Sequence, residues 1–264
     1  MDLQLKGQTA LVTGSTAGIG YAIAKLLAAE GADVIINGRT QTGVDQSVAT
    51  LKTDQPNARV TGIAVDLSNS NGCEQLISSL PSVDILINNL GIFDPKPFEA
   101  ISDADWQRFF ETNVMSGVRL SRAYLPAMKK RNHGRIVFIS SESGICPPAE
   151  MVHYGMTKSA QLSVARALAE TCVGTAVTVN SVLPGPTLTE GAKDFFDKLA
   201  AEEGVSFDVA AENFFTHARP TSLLRRFITP DEVASMVAYV CSPRSAATNG
   251  AALRVDGGVV RSII

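Results

Sequence analysis

Short apolar runs rich in valine and isoleucine recur along the chain and alternate with longer stretches of helical period. "TALVTG" predicts a strand, "GIGYAIAKLLAAEGA" a helix stopping near Gly31, and "DVIING" a second strand. A polar helix through "VDQSVATLKTD" precedes "ARVTGIAVDL", a helix near Cys73–Leu80, and "VDILINN". "GRIVFISS", "AVTVNSVLPG" and "ALRVDGG" follow, separated by helical segments. The strand runs are nearly continuous in apolar character, as expected when both faces of a parallel sheet are covered. This alternation, undivided by any linker, repeat or low-complexity segment, predicts an α/β fold: one doubly wound parallel sheet spanning residues 1–264.

One stretch breaks the rhythm. Residues 188–224, "LTEGAKDFFDKLAAEEGVSFDVAAENFFTHARPTSLL", read as helical pieces interrupted by Gly204 and Pro220. Ligands of doubly wound sheets sit beyond the carboxyl ends of the strands, so an excursion leaving such an end is placed to act as a substrate lid. A packed surface helix pair fits the spacing equally well.

Composition narrows the function. Hydrophobic residues make up 45% of the 264 positions and charged residues 19%, ordinary for a globular protein with a substantial core. A net charge of −3 without a basic stripe argues against nucleic acid as a partner. No basic stretch followed by an apolar run opens the chain, and no apolar run reaches membrane-spanning length. The four cysteines, Cys73, Cys146, Cys172 and Cys241, are scattered, and only His133, His153 and His217 accompany them. Reduced thiols in a cytoplasmic protein, with no metal site, are the expectation.

The first strand runs into "TGSTAGIG", with Gly14, Gly18 and Gly20. Glycine permits the tight turn and close backbone approach that a helix N-terminus needs beside a phosphate. The second strand ends in Asn37, Gly38 and Arg39, with no acid to bind ribose hydroxyls. An arginine there suits a 2′-phosphate, which favours NADP(H) while leaving NAD(H) possible. Farther on, "YGMTK" places Tyr154 and Lys158 four residues apart, on one face of a helix.

Together these pieces resemble the short-chain dehydrogenases/reductases over nearly the whole chain. The matching elements are "TGSTAGIG" at 13–20, Asp66 in "VDLS", "NNLG" at 88–91, Asn113 in "ETNV", Ser141 in "ISSES", "YGMTK" at 154–158, "PGPT" at 184–187 and "VDGG" at 255–258. The resemblance implies a Rossmann-like domain that moves hydride between a nicotinamide and a carbonyl or secondary alcohol. It implies Tyr154 as proton donor or acceptor, Lys158 as the group that lowers its pKa and holds the nicotinamide ribose, Ser141 on the substrate oxygen, and Asn113 in a proton relay. Ser140 fits the family spacing less well. By the same resemblance Gly14, Ser15, Ile19, Gly20, Arg39, Asp66, Leu67, Asn89, Gly91, Pro184, Gly185 and Thr187 line the cofactor, with Tyr154 and Lys158. It also implies a homodimer or homotetramer, for which the small residues of "SAQLSVARALAE" would permit close packing. Leu90, usually alanine in the family, and Phe227–Ile228, where a glycine is common, depart from the pattern. His153 should point away from the tyrosine's face.

The substrate is less determined. Cys146, Pro147, Pro148 and Met151, with Phe195, Phe196, Phe207, Phe214 and Phe215, favour an apolar ketone or alcohol, although the phenylalanines could simply pack the excursion. The alternative is a 3-oxoacyl-carrier-protein reductase, with Lys129, Lys130 and Arg131 facing the acidic carrier, but Thr175 stands where such enzymes often have arginine. A catalytically silent dinucleotide-binding regulator is the alternative outside enzymes.

Overall fold

The computed structural model describes residues 1–263. β1 (Thr9–Val12) leads through the glycine turn into α1 (Gly18–Ala29), followed by β2 (Asp33–Gly38), α2 (Gln41–Asp54), β3 (Val60–Ala64), α3 (Ser70–Ser79) and β4 (Ile85–Asn88). The second half runs α4 (Asp103–Phe110), α5 (Ser116–Arg131), β5 (Arg135–Ile139), α6 (Val152–Glu170) and β6 (Thr178–Pro184). It then continues through α7 (Glu190–Glu203), α8 (Phe207–Asn213), α9 (Pro230–Cys241) and β7 (Ala252–Val255). All strand pairings are parallel, in the order β3-β2-β1-β4-β5-β6-β7. Strand order reverses at β1, where Ala10 lies opposite both Val34 of β2 and Ile85 of β4. The crevice beyond the carboxyl ends of β1 and β4 is therefore the switch point where such sheets bind ligands.

Each of the strands β1 to β6 serves two cores. Ala10 and Val12 of β1 pack with Ile23 and Leu27 of α1 and Val233 and Val237 of α9. Leu11, pointing the other way, packs with Leu120 and Tyr124 of α5 and Ala165 and Ala169 of α6. β5 repeats the device, Val137 and Ile139 facing one layer and Ile136 and Phe138 the other. Two buried faces on a backbone of period two produce the continuous apolar runs of the sequence. Ala165 and Ala169, two of the small residues in "SAQLSVARALAE", are thus packed inside the subunit.

The excursion folds as α7, α8 and a widened turn over Phe214–Ala218. It has a hydrophobic cluster of its own, centred on buried Phe196, Ala200 and Ala210. The Phe196 ring centroid lies 4.9 Å from that of Phe227 and 5.2 Å from that of Phe214, and Phe214 stacks on Phe227 at 5.6 Å. The departure at Phe227–Ile228 now has a reason. Phe227 enters the aromatic cluster while Ile228 is buried in the main core and bridges to Thr187, so the pair pins the excursion to the sheet.

Candidate active site

The glycine turn is shaped for close approach. Gly14 and Gly18 have φ of 59° and 56°, in the left-handed region where glycine is favoured. The turn is tied to its neighbours: Gly14 N donates to Asn37 Oδ1 at 3.2 Å and Ser15 N to Asn37 O at 2.8 Å. Ser15 is fully buried; its hydroxyl donates to Val12 O at 2.6 Å and accepts from Asn37 N at 3.0 Å. Asn89 Nδ2 donates to the carbonyls of Thr13 and Gly14 at 2.9 and 3.0 Å, closing the turn from β4. Ser15 and Gly20 therefore build the turn from behind, and Ile19 faces the cavity.

Most of the other helices are capped by side chains, Thr40 before α2 and Thr229 before α9 among them. α1 opens at Ala17, which offers no side-chain acceptor. Instead, Gly18 N donates to the Glu190 carboxylate of α7 at 3.1 Å. That oxygen stands where a phosphate oxygen would be held by the free N–H groups and the helix dipole, so the turn fits a dinucleotide pyrophosphate. At the β2 exit Arg39 is exposed and has no ion-pair partner among the described residues. Asn37, the alternative polar group there, spends its amide on Ile63 O and Val65 O, both at 3.2 Å. Asp66 accepts from Ser68 N at 3.0 Å at the β3 exit. Leu67 is 1% exposed and its side chain belongs to the core behind the cleft.

Tyr154 and Lys158 lie one turn apart on α6, beside the end of β5. Lys158 Nζ donates to Ile139 O at 2.9 Å and sits 5.5 Å from the Tyr154 ring centroid. Both serines line the cavity, but Ser140 Oγ donates to Lys158 O at 2.8 Å, pinning α6 to the strand, whereas the Ser141 hydroxyl bonds the Glu142 carboxylate. Their different partners thus separate the two serines by role. Asn113 occupies a widened π-type turn, Glu111–Met115, between α4 and α5. Its amide exchanges hydrogen bonds with the Ile92 backbone at 2.8 and 3.0 Å and donates to Thr157 Oγ1 at 3.0 Å. Gly91 rests against both Lys158 Nζ and Asn113 Oδ1. His153 is fully buried, its ring 3.9 Å from that of Phe109, and burial lowers its pKa.

The electrostatics differ from the sequence expectation that Lys158 lowers the Tyr154 pKa. Burial raises the tyrosine, the Glu142 carboxylate raises it further, and the Ser141 hydrogen bond and Arg219 only partly offset them. Lys158 itself is held down to about 8 by burial, against the pull of Glu142. Its ammonium is turned to Ile139 O.

Glu142 was not singled out in the sequence. It is 6% exposed, accepts a short hydrogen bond from Ser141 Oγ, and pairs with Arg219 Nε at 3.4 Å. Arg219 also meets Glu150 at 3.0 Å. The signal was an acid directly after the serine in a buried stretch.

These groups border a cavity of about 490 Å³. Asn89, Gly91, Ser141, Tyr154, Lys158, Pro184, Gly185 and Thr187 line it, as does Thr189, whose methyl packs at Gly18. Met151, Phe195, Phe196 and Phe214 form part of its apolar wall, so the last three both pack the excursion and face the cavity. Phe207, Phe215, Cys146, Pro147 and Pro148 do not line it. The basic trio is misplaced for a carrier at the mouth. Arg131 bonds Val83 O before β4, and Lys129 bonds Thr171 O after α6, at the opposite end of the sheet.

Comparison with known proteins agrees with this geometry. The family model for short chain dehydrogenase matches residues 8–200. "Uncharacterized oxidoreductase YvaG" of Bacillus subtilis is 52% identical over 263 residues, covering 100% of both chains. The 3-oxoacyl-[acyl-carrier-protein] reductase FabG of Vibrio cholerae is 32% identical, covering 97% of this chain and 99% of its own. L-Sorbose reductase from Gluconobacter frateurii, solved in complex with NADPH and L-sorbose, superposes with a TM-score of 0.92 at 30% identity over 100% of both chains. Fold, family model and relatives concur: the chain belongs to the short-chain dehydrogenase/reductase family of oxidoreductases.

Proposed function

We propose that the protein is an NADP(H)-dependent oxidoreductase that interconverts a ketone and a secondary alcohol, with Tyr154 as general acid and base. The carrying observation is that Tyr154, Lys158 and Ser141 meet in one apolar cavity at the strand ends, beside a helix N-terminus without a side-chain cap. When bound, NADP(H) supplies or takes up the hydride. The glycine turn and Thr189 would hold its pyrophosphate, and Arg39 its 2′-phosphate. Tyr154, kept protonated by burial and by Glu142, gives its proton to the substrate oxygen in reduction and takes one back in oxidation. Ser141 positions that oxygen once its proton turns from Glu142. Lys158 holds the ribose side, and Asn113 braces α6 against the β4 exit.

The apolar wall supports a substrate with an apolar body, and the excursion closes over it as a lid. L-Sorbose reductase, with its bound NADPH, supports both the cofactor and a neutral ketone. Lys129 and Arg131 are bonded at the opposite end of the sheet, which weighs against the carrier-protein reading. NADPH and NADH oxidation against ketones, diketones, quinones and a 3-oxoacyl thioester tests the proposal. Turnover preferring NADPH and lost in Tyr154→Phe is expected. NADPH binding without turnover in either direction would install the silent regulator in its place.

A further inference from the structure

The catalytic end of the cavity holds an acid that neither gives nor takes the transferred proton. Glu142 is buried beside Ser141, faces the cavity, and draws on few hydrogen bonds. An ionised carboxylate offers about four acceptor positions. One oxygen takes the Ser141 proton, and the other meets Arg219 Nε at a loose 3.4 Å. Acceptor capacity therefore remains on a group whose neighbours in the wall are largely apolar. Burying a carboxylate there is costly unless something donates to it.

The partner arginine is already divided. Arg219 donates through Nη1 to Glu150 at 3.0 Å and to Ala218 O at 2.8 Å, while its guanidinium lies 5.5 Å from the Phe214 centroid. Two acids thus share one guanidinium across the gap between the excursion and the β5–α6 segment. A substrate carboxylate arriving beside Ser141 would face Glu142 with no cation left over from this pair. A hydroxyl group arriving there would find an acceptor.

We propose that Glu142 is a specificity-determining residue, whose carboxylate, held by Arg219 and released by Ser141 when that hydroxyl turns to the substrate oxygen, accepts a hydrogen bond from a hydroxyl on the carbon next to the substrate carbonyl. The preferred substrate is then a neutral α-hydroxyketone with an apolar body. A ketone of the same shape lacking the hydroxyl is disfavoured, and so is an α-keto acid. This rests on the oxidoreductase reading above and names the substrate class of that same site. Glu142 selects; Tyr154 moves the proton.

The test uses three compounds of matched carbon skeleton: an α-hydroxyketone, its deoxy analogue and the corresponding α-keto acid. For the unmodified protein with NADPH, kcat/KM for the hydroxyketone should exceed that for the deoxy ketone by roughly tenfold to a hundredfold, the range for a hydrogen bond to a charged group. In Glu142→Gln that ratio should fall by roughly tenfold, and the keto acid should gain relative to both ketones. Loss of all three activities in proportion would mark Glu142 as merely structural and overturn the proposal. So would equal use of the hydroxyketone and deoxy ketone by the unmodified protein, a comparison that requires no variant to fold. Calorimetric binding of the same trio to the protein–NADPH mixture separates this proposal from the one beneath it. Hydroxyl-dependent binding without turnover would overturn the oxidoreductase reading and sustain the role of Glu142. Binding indifferent to the hydroxyl would overturn the role of Glu142.

Discussion

Gly20 is the position where a single methyl group should do most damage to the cofactor cleft. Its backbone is ordinary helix, so Gly20→Ala should by propensity alone stabilise α1 by about 1 kcal/mol. The space forbids it. A Cβ there would lie 2.5 Å from Asn89 Nδ2, 2.6 Å from Gly14 O and 2.9 Å from Ser15 Cα. Two of those three atoms are backbone and cannot swing aside, and the third is the amide that closes the turn. Displacing Asn89 breaks its bonds to Thr13 O and Gly14 O. They contribute about 1 kcal/mol each, and overpacking adds about 1–3 kcal/mol. After the propensity gain is subtracted, a net loss of about 3 kcal/mol remains, or a Tm lower by roughly 6–12 °C. NADPH should bind at least roughly tenfold more weakly, because the amides of the turn no longer converge. Gly191→Ala is the control: nothing lies within 4 Å of a Cβ at that helical site, so it should be neutral or slightly stabilising. Thermal melts and fluorescence titration of NADPH measure both effects. A Gly20→Ala protein melting within a degree or two of the unmodified one, with unchanged NADPH affinity, would refute the argument from close approach.

Other perturbations isolate single contributions. Arg39→Ala should weaken NADPH binding about tenfold and leave NADH nearly unchanged, since the exposed guanidinium has only the 2′-phosphate to meet; equal losses for both cofactors would remove Arg39 from that role. The folded Lys158 titrates near 8, below its unfolded value, so the unfolded chain binds the extra proton between about 8 and 10.5. Stability should therefore rise with pH across that window. In Lys158→Met, denaturant unfolding should lose this rise, and an unchanged pH slope would contradict the assigned burial. With Tyr154 raised, alcohol oxidation should climb towards alkaline pH while ketone reduction stays level through neutrality. A reduction rate falling through neutral pH with a tyrosine-dependent step would argue against it.

Much of this was legible beforehand. The near-continuous apolar runs announced a sheet covered on both faces, and the β-branched segments fell on the seven strands within three residues of their ends. Gly14, Asn89, Tyr154 and Lys158 stood out because they fall in motifs that resemble those of the family. Glu142, Arg219 and Glu190 were not, because what makes them matter is proximity across long separations: Gly18 meets a carboxylate 172 residues away. The tyrosine–lysine pair also taught a limit. Spacing put both on one face of α6, but only the fold reveals that the ammonium is turned to Ile139 O and that burial, with Glu142, governs the phenol.

The separate aromatic cluster of the excursion has a consequence for how this chain can change. Phe196, Phe214 and Phe227 shield one another, while the two layers around the sheet are closed without them. Substitutions among these rings can recontour the cavity wall without opening either layer that carries the glycine turn and the β5 exit. The contour of the cavity wall and foldability are thus placed in different parts of one continuous chain. A library varied only over the excursion should yield many well-folded proteins that differ in the ketones they admit, a division of labour that suits a scaffold diversifying its chemistry.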